Sequence, residues 1–199
     1  MPFDVSHFWL ITMWLIYYGL HSLLAASSLK KNIQQKAPQY FPFYRITYST
    51  FFFITLVGIL FYQWRMDSPR LFTNNILSYG IGIPAAITGL TIMGFCIRKY
   101  FYNLSGVAVF YQKSQLENAT LELDGLHRYM RHPLYSGTLL FAWSLVLLFP
   151  FWSYLIMAAL MTLYVLVGIQ LEEKKLLVEF GEPYRNYRAR TAMLIPGII

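Results

Sequence analysis

The sequence predicts an all-α integral membrane protein of about five transmembrane helices, ending in a helical hairpin and an amphipathic tail. Three observations predict it. The 199 residues are 57% hydrophobic and only 13% charged, whereas soluble domains are about 25% charged. The apolar residues come in blocks near the roughly 20 residues that a helix needs to cross a bilayer. The basic residues gather at block ends, where anionic lipid headgroups are their natural partners. The net charge of +7 is therefore read as membrane charge, and no nucleic-acid partner is expected.

A chain of this length makes one membrane domain over residues 1–199. The spans read as 5–28, 43–64, 76–102, 133–149 and 151–171. No Lys or Arg and no small-residue cleavage site precedes the first apolar block, so it is read as a retained span rather than a signal peptide. Only Pro150 separates the fourth and fifth spans, which forces an antiparallel hairpin. Five spans with the N-terminus outside place 14 of the 16 Lys and Arg on one side. Only Arg65 and Arg70 fall opposite. The crowded side is cytoplasmic by the positive-inside rule. The expected setting is a cytoplasmic (inner) membrane, with the C-terminus and any site built from these residues inside.

Two stretches lie outside the spans. Asn103–Arg131 is a long connection of the kind that carries function. The tail 172–199 keeps Leu176, Leu177, Phe180, Tyr184 and Tyr187 at helical spacing. Gly181 and Pro183 are expected to break it into two short helices on the membrane surface.

The chemistry concentrates in three places. In "RYMRHPLYSG", Pro133 suits the first position of a helix. The free N–H groups of that helix start, with Arg128, Arg131 and His132, make an anion site. Tyr135 follows, and Gly137 lets a neighbouring backbone or a ligand come close. Glu172 and Glu173 close the fifth span and return beside Arg131 and His132. They point about 100° apart, so one can face inward, to pair with Arg131 or accept from a ligand, while its neighbour faces water or the tail. In the tail, Tyr184 and Tyr187 share a face, as do Arg185 and Arg188. Each feature also has a plain structural reading: basic side chains snorkelling to headgroups, an interfacial ion-pair cluster, and a surface helix with aromatic anchors. The single Cys96 is read as packing. His21 is read as a hydrogen-bond partner to another helix, and no metal site is expected from one Cys and four scattered His. The residues together give one pocket at the cytoplasmic surface, cationic on one wall and acidic on the other, over an apolar floor.

The run "GLHRYMRHPLYSG … LEEKKLLVEFGEPYRNYRARTAMLIP" resembles the isoprenylcysteine carboxyl methyltransferase and phospholipid methyltransferase superfamily of integral membrane enzymes. The shared pattern is RHPxYxG, then a Glu-Glu pair, FGxxYxxY and a terminal Ile-Pro. The resemblance implies S-adenosylmethionine as methyl donor. It places His127, His132, Tyr135, Gly137, Glu172, Glu173, Tyr184 and Tyr187 around that cofactor, with Arg131 and Glu173 as the catalytic pair. It implies a lipophilic or small acceptor: an isoprenylcysteine carboxylate, a thiol or a lipid headgroup. Two departures stand out. His127 replaces a Tyr, and Met193 replaces an Arg common in prenylcysteine enzymes. The tail is similar to that of the small-thiol branch. Two alternatives remain at this point: an NADPH-dependent membrane sterol-type reductase, whose family shares RHPxY but is longer and carries Trp in place of Tyr184, and a non-catalytic scaffold or sensor.

Overall fold

The computed structural model describes residues 4–105, 121 and 123–197. Seven α-helices follow one another: α1 (Val5–Ala25), α2 (Ser27–Lys36), α3 (Phe41–Arg65), α4 (Ile76–Ser105), α5 (Pro133–Leu148), α6 (Trp152–Phe180) and α7 (Glu182–Arg190), with a short 3-10 turn at Gly125–Arg128 before α5. Four of them, α1, α3, α4 and α6, are long and apolar enough to cross a membrane. Most of the connection 103–131 lies outside the described residues.

The bundle is inside-out relative to a soluble protein. Phe8, Leu15, Phe53, Phe61, Ile81 and Val167 point outward, while His7, Gln63, Ser144 and Ser153 are buried. With hydrocarbon as solvent, apolar side chains lose nothing by facing out, and polar ones gain by pairing inside. The core joins α1, α3, α5 and α6 through Leu10, Trp14, Ile59, Ala142, Met157 and Ala158.

The hairpin forms where Pro150 stops α5. Asn74 donates to the carbonyls of Leu147 and Leu148, at 3.0 and 3.2 Å, and so caps the end of α5. Leu71 N–H donates to the Pro150 carbonyl and Trp152 N–H to that of Pro69, which pins the hairpin to the loop before α4. Ser68 adds a second tie: its hydroxyl accepts from Ser153 N–H and contacts His7 Nε2, both at 3.0 Å.

Three features differ from the sequence reading. The first span ends at Ala25, and residues after the extended Ala26 form the separate polar helix α2. The tail does not begin as its own helix: "LEEKKLL" contains only good helix formers and no Gly or Pro follows before Gly181, so α6 runs unbroken to Phe180. The break comes at Gly181, whose φ of +57° is open to glycine at little cost. Finally, α5 has 16 residues, a rise of about 24 Å against a hydrocarbon core of about 30 Å. The fourth expected span is thus a short apolar helix whose first residue, Pro133, is buried.

Helices α4 and α5 approach most closely at two glycines. A Cβ on Gly89 would lie 2.8 Å from the Gly137 carbonyl oxygen, and one on Gly137 would lie 2.9 Å from that of Gly89. Neither backbone atom can rotate away. Gly89→Ala and Gly137→Ala are each expected to lower stability by about 1–3 kcal/mol through overpacking. Gly19→Ala, which meets nothing within 4 Å, is the matched control. Thermal unfolding in detergent measures all three.

Candidate active site

At the start of α5, the chain Met130–His132 runs beside the returning tail. Arg131 N–H donates to the Ala192 carbonyl at 2.8 Å and His132 N–H to that of Met193 at 3.2 Å. Ser136 Oγ donates to the Leu194 carbonyl at 2.7 Å. The contact at Met193 is through its backbone, so the departure from Arg there leaves this pairing intact.

Two buried side chains meet beneath that seam. Arg131 Nε donates to Glu173 Oε1 at 2.7 Å. Its Nη1 donates to the carbonyls of Arg188 (2.9 Å) and Thr191. His132 Nε2 lies 3.3 Å from the same Glu173 oxygen, and Arg188 Nε lies 3.2 Å from the other. A carboxylate this buried is costly alone. Here three cationic or hydrogen-bonding side chains and the N-terminal end of α5 offset that cost. Arg131 is therefore placed as the clamp that fastens the tail to α5 and α6.

Glu172 occupies a different position. Tyr135 donates its hydroxyl to Glu172 Oε2 at 3.1 Å, and His132 Nδ1 lies 3.8 Å from that oxygen. The His132 and Tyr135 rings stack at 5.7 Å. The Glu172 side chain is 45% exposed, against 8% for Glu173. Of the two adjacent carboxylates, one is locked and one is open.

The tail supplies the cover. Tyr184 is fully buried and its hydroxyl has no hydrogen-bond partner among the described residues. Burial first, and then the Glu173 carboxylate, pushes its phenol up to about 12, so it remains a donor at neutral pH. Tyr187 donates its hydroxyl to the His127 carbonyl at 2.6 Å. His127 Nδ1 lies 3.2 Å from the Arg131 carbonyl oxygen, and the residue lines a cleft of about 710 Å³ with Phe95, Cys96, Arg128 and Pro133. That volume lies in the range of small-molecule sites.

The structure brings Arg131, His132, Tyr135, Glu172, Glu173 and Tyr184 together, with His127 and Tyr187 joined to them through the Arg131 backbone and the tail. Gly137 lies away from the charges, against Gly89; of the two roles read from the sequence, its contact is with a neighbouring backbone. Arg188 was read only as surface charge. Its spacing of four from Tyr184 puts both on one face, and that signal pointed inward. Arg185 turns outward and pairs with Glu182 on its own helix.

Fold and site together define an integral membrane protein with a charged side-chain centre fastened to its own tail. The family model for phospholipid methyltransferase matches residues 81–182. The methanethiol S-methyltransferase of Crocosphaera subtropica is 30% identical, the match covering 95% of this chain and 77% of that protein. The methanethiol S-methyltransferase of Pseudomonas deceptionensis is also 30% identical, over 89% of this chain and 68% of its own. That of Mycobacterium tuberculosis is 26% identical, over 88% and 72%. No solved structure matches the chain significantly. The chain belongs to the phospholipid methyltransferase family and is a membrane methyltransferase. The reductase and scaffold alternatives give way to that membership.

Removing one partner of a buried pair leaves an uncompensated charge and typically costs about 3–5 kcal/mol. Arg131→Ala is expected to free the tail, seen as faster tryptic cleavage at Arg185, Arg188 and Arg190. Arg185→Ala, which breaks only an exposed pair, is expected to leave the cleavage rate at Arg188 and Arg190 unchanged.

Proposed function

We propose that the methyl donor is S-adenosylmethionine, bound at the cytoplasmic face, and that the acceptor is a small thiol of the methanethiol class. The observation that carries the reading is the split of the Glu172–Glu173 pair into one locked and one open carboxylate beside a helix N-terminus and two arginines.

The donor set fits this cofactor. Glu172, already aligned by Tyr135, suits an ammonium or a ribose diol. The N-terminal end of α5, with Arg188 half-exposed beside it, suits a carboxylate. The buried Tyr184 hydroxyl costs about 1–3 kcal/mol while unpaired, and a polar group of a bound ligand offsets that cost. The cofactor supplies an electrophilic methyl group on a sulfonium. The protein's part is to orient it and to exclude water, since an in-line displacement gains most from positioning. Glu173 acts in this reading by holding Arg131 and Arg188 in place, and His127 lines the adjoining cleft.

The thiol acceptor is supported by the relatives, which are named for methanethiol S-methylation. A tail in which Met193 stands in place of an Arg offers one cation fewer to a carboxylate acceptor. The membrane is taken to be the cytoplasmic one, with α7 inside.

The test is methyl transfer by detergent-purified protein from S-adenosylmethionine to methanethiol, read as dimethyl sulfide in the headspace. Absence of product, with S-adenosylhomocysteine still binding, would sink the thiol assignment. Failure to bind S-adenosylhomocysteine would sink the donor. Glu172→Gln is expected to weaken S-adenosylhomocysteine binding by about tenfold, the loss of one charge-assisted hydrogen bond, with little change in melting temperature. Tyr184→Phe is expected to keep or raise stability while weakening binding, as calorimetry and thermal unfolding together report.

A further inference from the structure

We propose that His21 and Tyr164 form the acceptor side of the enzyme, a pair inside the bundle that takes the proton from the thiol as it is methylated. This rests on the thiol reading above.

His21 stands in the last turns of α1. Its Nδ1 lies 2.8 Å from the Tyr164 hydroxyl on α6, and Ser22 donates to the same hydroxyl at 3.4 Å. Four aromatic rings surround the imidazole: Phe52 edge-on at 4.9 Å, Tyr48 at 5.4 Å, Tyr164 at 6.1 Å and Tyr17 stacked at 6.2 Å. Aromatic faces stabilise a cation. A transient imidazolium is less costly among these rings than in bare hydrocarbon. In the tautomer that donates from Nδ1 to Tyr164, the lone pair is on Nε2.

The pair adjoins both places the reaction needs. Toward the lipid, Tyr17 and Phe52 of the cage also line an apolar cleft of about 360 Å³ between α1 and α3. A small lipophilic thiol partitions into such a space from the bilayer. Toward the charged centre, Tyr164, Gly168 and Glu172 lie four residues apart along one broad face of α6. A Cβ on Gly168 would meet nothing within 4 Å. Gly168 thus leaves room for a small group on the face of α6 that runs from Tyr164 to the Glu172–Tyr135 contact.

An alkyl thiol is almost wholly protonated at neutral pH, so a nearby base raises its nucleophilicity. The S–H bond breaks and its proton moves to Nε2. The sulfur electron pair forms the new S–C bond, and the methyl–sulfonium bond breaks with its electrons returning to the donor sulfur. The proton then leaves His21 for water at the cytoplasmic end. The other groups facing His21 are Tyr17 on its own helix, Tyr48 on α3, whose hydroxyl donates to the His21 carbonyl at 3.2 Å, and Lys30 of α2 in electrostatic range. The Lys30 ammonium opposes a lasting charge on His21 and so favours release.

Two thiols separate this role from packing: methanethiol, and thiophenol, which is already largely ionised in mildly alkaline buffer. His21→Gln is expected to lose about 100-fold in kcat/KM for methanethiol, with thiophenol turnover near wild type and S-adenosylhomocysteine affinity unchanged. Tyr164→Phe is expected to shift the same way by less. In the cofactor-free protein, methanethiol is expected to perturb the ¹³C-histidine NMR signal that His21→Gln removes. Equal losses on both thiols, no loss on either, or an unperturbed His21 signal overturns the proposal. A wild-type protein that methylates no thiol overturns the underlying reading and takes this one with it, an outcome distinct from an active enzyme indifferent to His21.

Discussion

The Glu173 carboxylate is the constraint on which the working end of this molecule depends. It is buried, so it persists as an anion only if every segment that neutralises it is in place. Those segments are the start of α5, through Arg131 and His132, and the tail helix α7, through Arg188. None of them is near Glu173 in sequence. Arg131 also collects the carbonyls of Arg188 and Thr191, so satisfying the charge and folding the tail are one event. Because adjacent residues on a helix diverge by about 100°, turning Glu173 inward fixes where Glu172 points. An interior ion pair thereby determines the orientation of a half-exposed carboxylate that a ligand can reach.

That arrangement holds only if α5 and α6 stand at a fixed height and distance. The opposite end of the bundle sets them. Asn74 caps α5, the backbone of 69–71 grips the hairpin on both sides of Pro150, and Ser68 joins α6 to His7 of α1. Between the two ends, Gly89 and Gly137 let α4 and α5 pack backbone to backbone. In a bilayer, where apolar contact between helices gains little over contact with lipid, close approach of small residues and polar ties are the main means of fixing helix positions.

The spans were legible in the sequence because hydropathy is a local property. Pro133 and Pro150 marked the ends of α5 because proline acts through its own ring and missing N–H. The charged residue types of the site were legible for the same reason. Their pairing was not. Whether Arg185 or Arg188 turns inward depends on the path after Gly181, and that path depends on a positive φ and on the seam between Met130 and Ala192. Gly137 could be assigned to a ligand or a neighbouring helix, and only the position of Gly89, some fifty residues earlier, decides. The extension of α6 to Phe180 was obscured because charge in "LEEKK" marks the membrane boundary without stopping a helix.

A methyltransferase at a membrane has to join two reactants of opposite solubility. A polar donor belongs at the aqueous surface, while a small lipophilic acceptor concentrates in the hydrocarbon. When a thiolate attacks a sulfonium, charge disappears, and a dry, low-dielectric site favours that change over hydrated reactants. In the proposed reading the start of α5 is that site. This N-terminal end is buried by protein, with Arg131, His132 and Pro133 shielded, while α6 continues past it and carries Glu172 and Glu173 alongside. The tail then closes the aqueous side over Tyr184. Between the charged centre and the aromatic cage around His21, α6 carries Gly168, where an added Cβ would meet nothing within 4 Å. On the proposed reading, an acceptor small and apolar enough to enter between the helices meets the donor where the charge is to be cancelled.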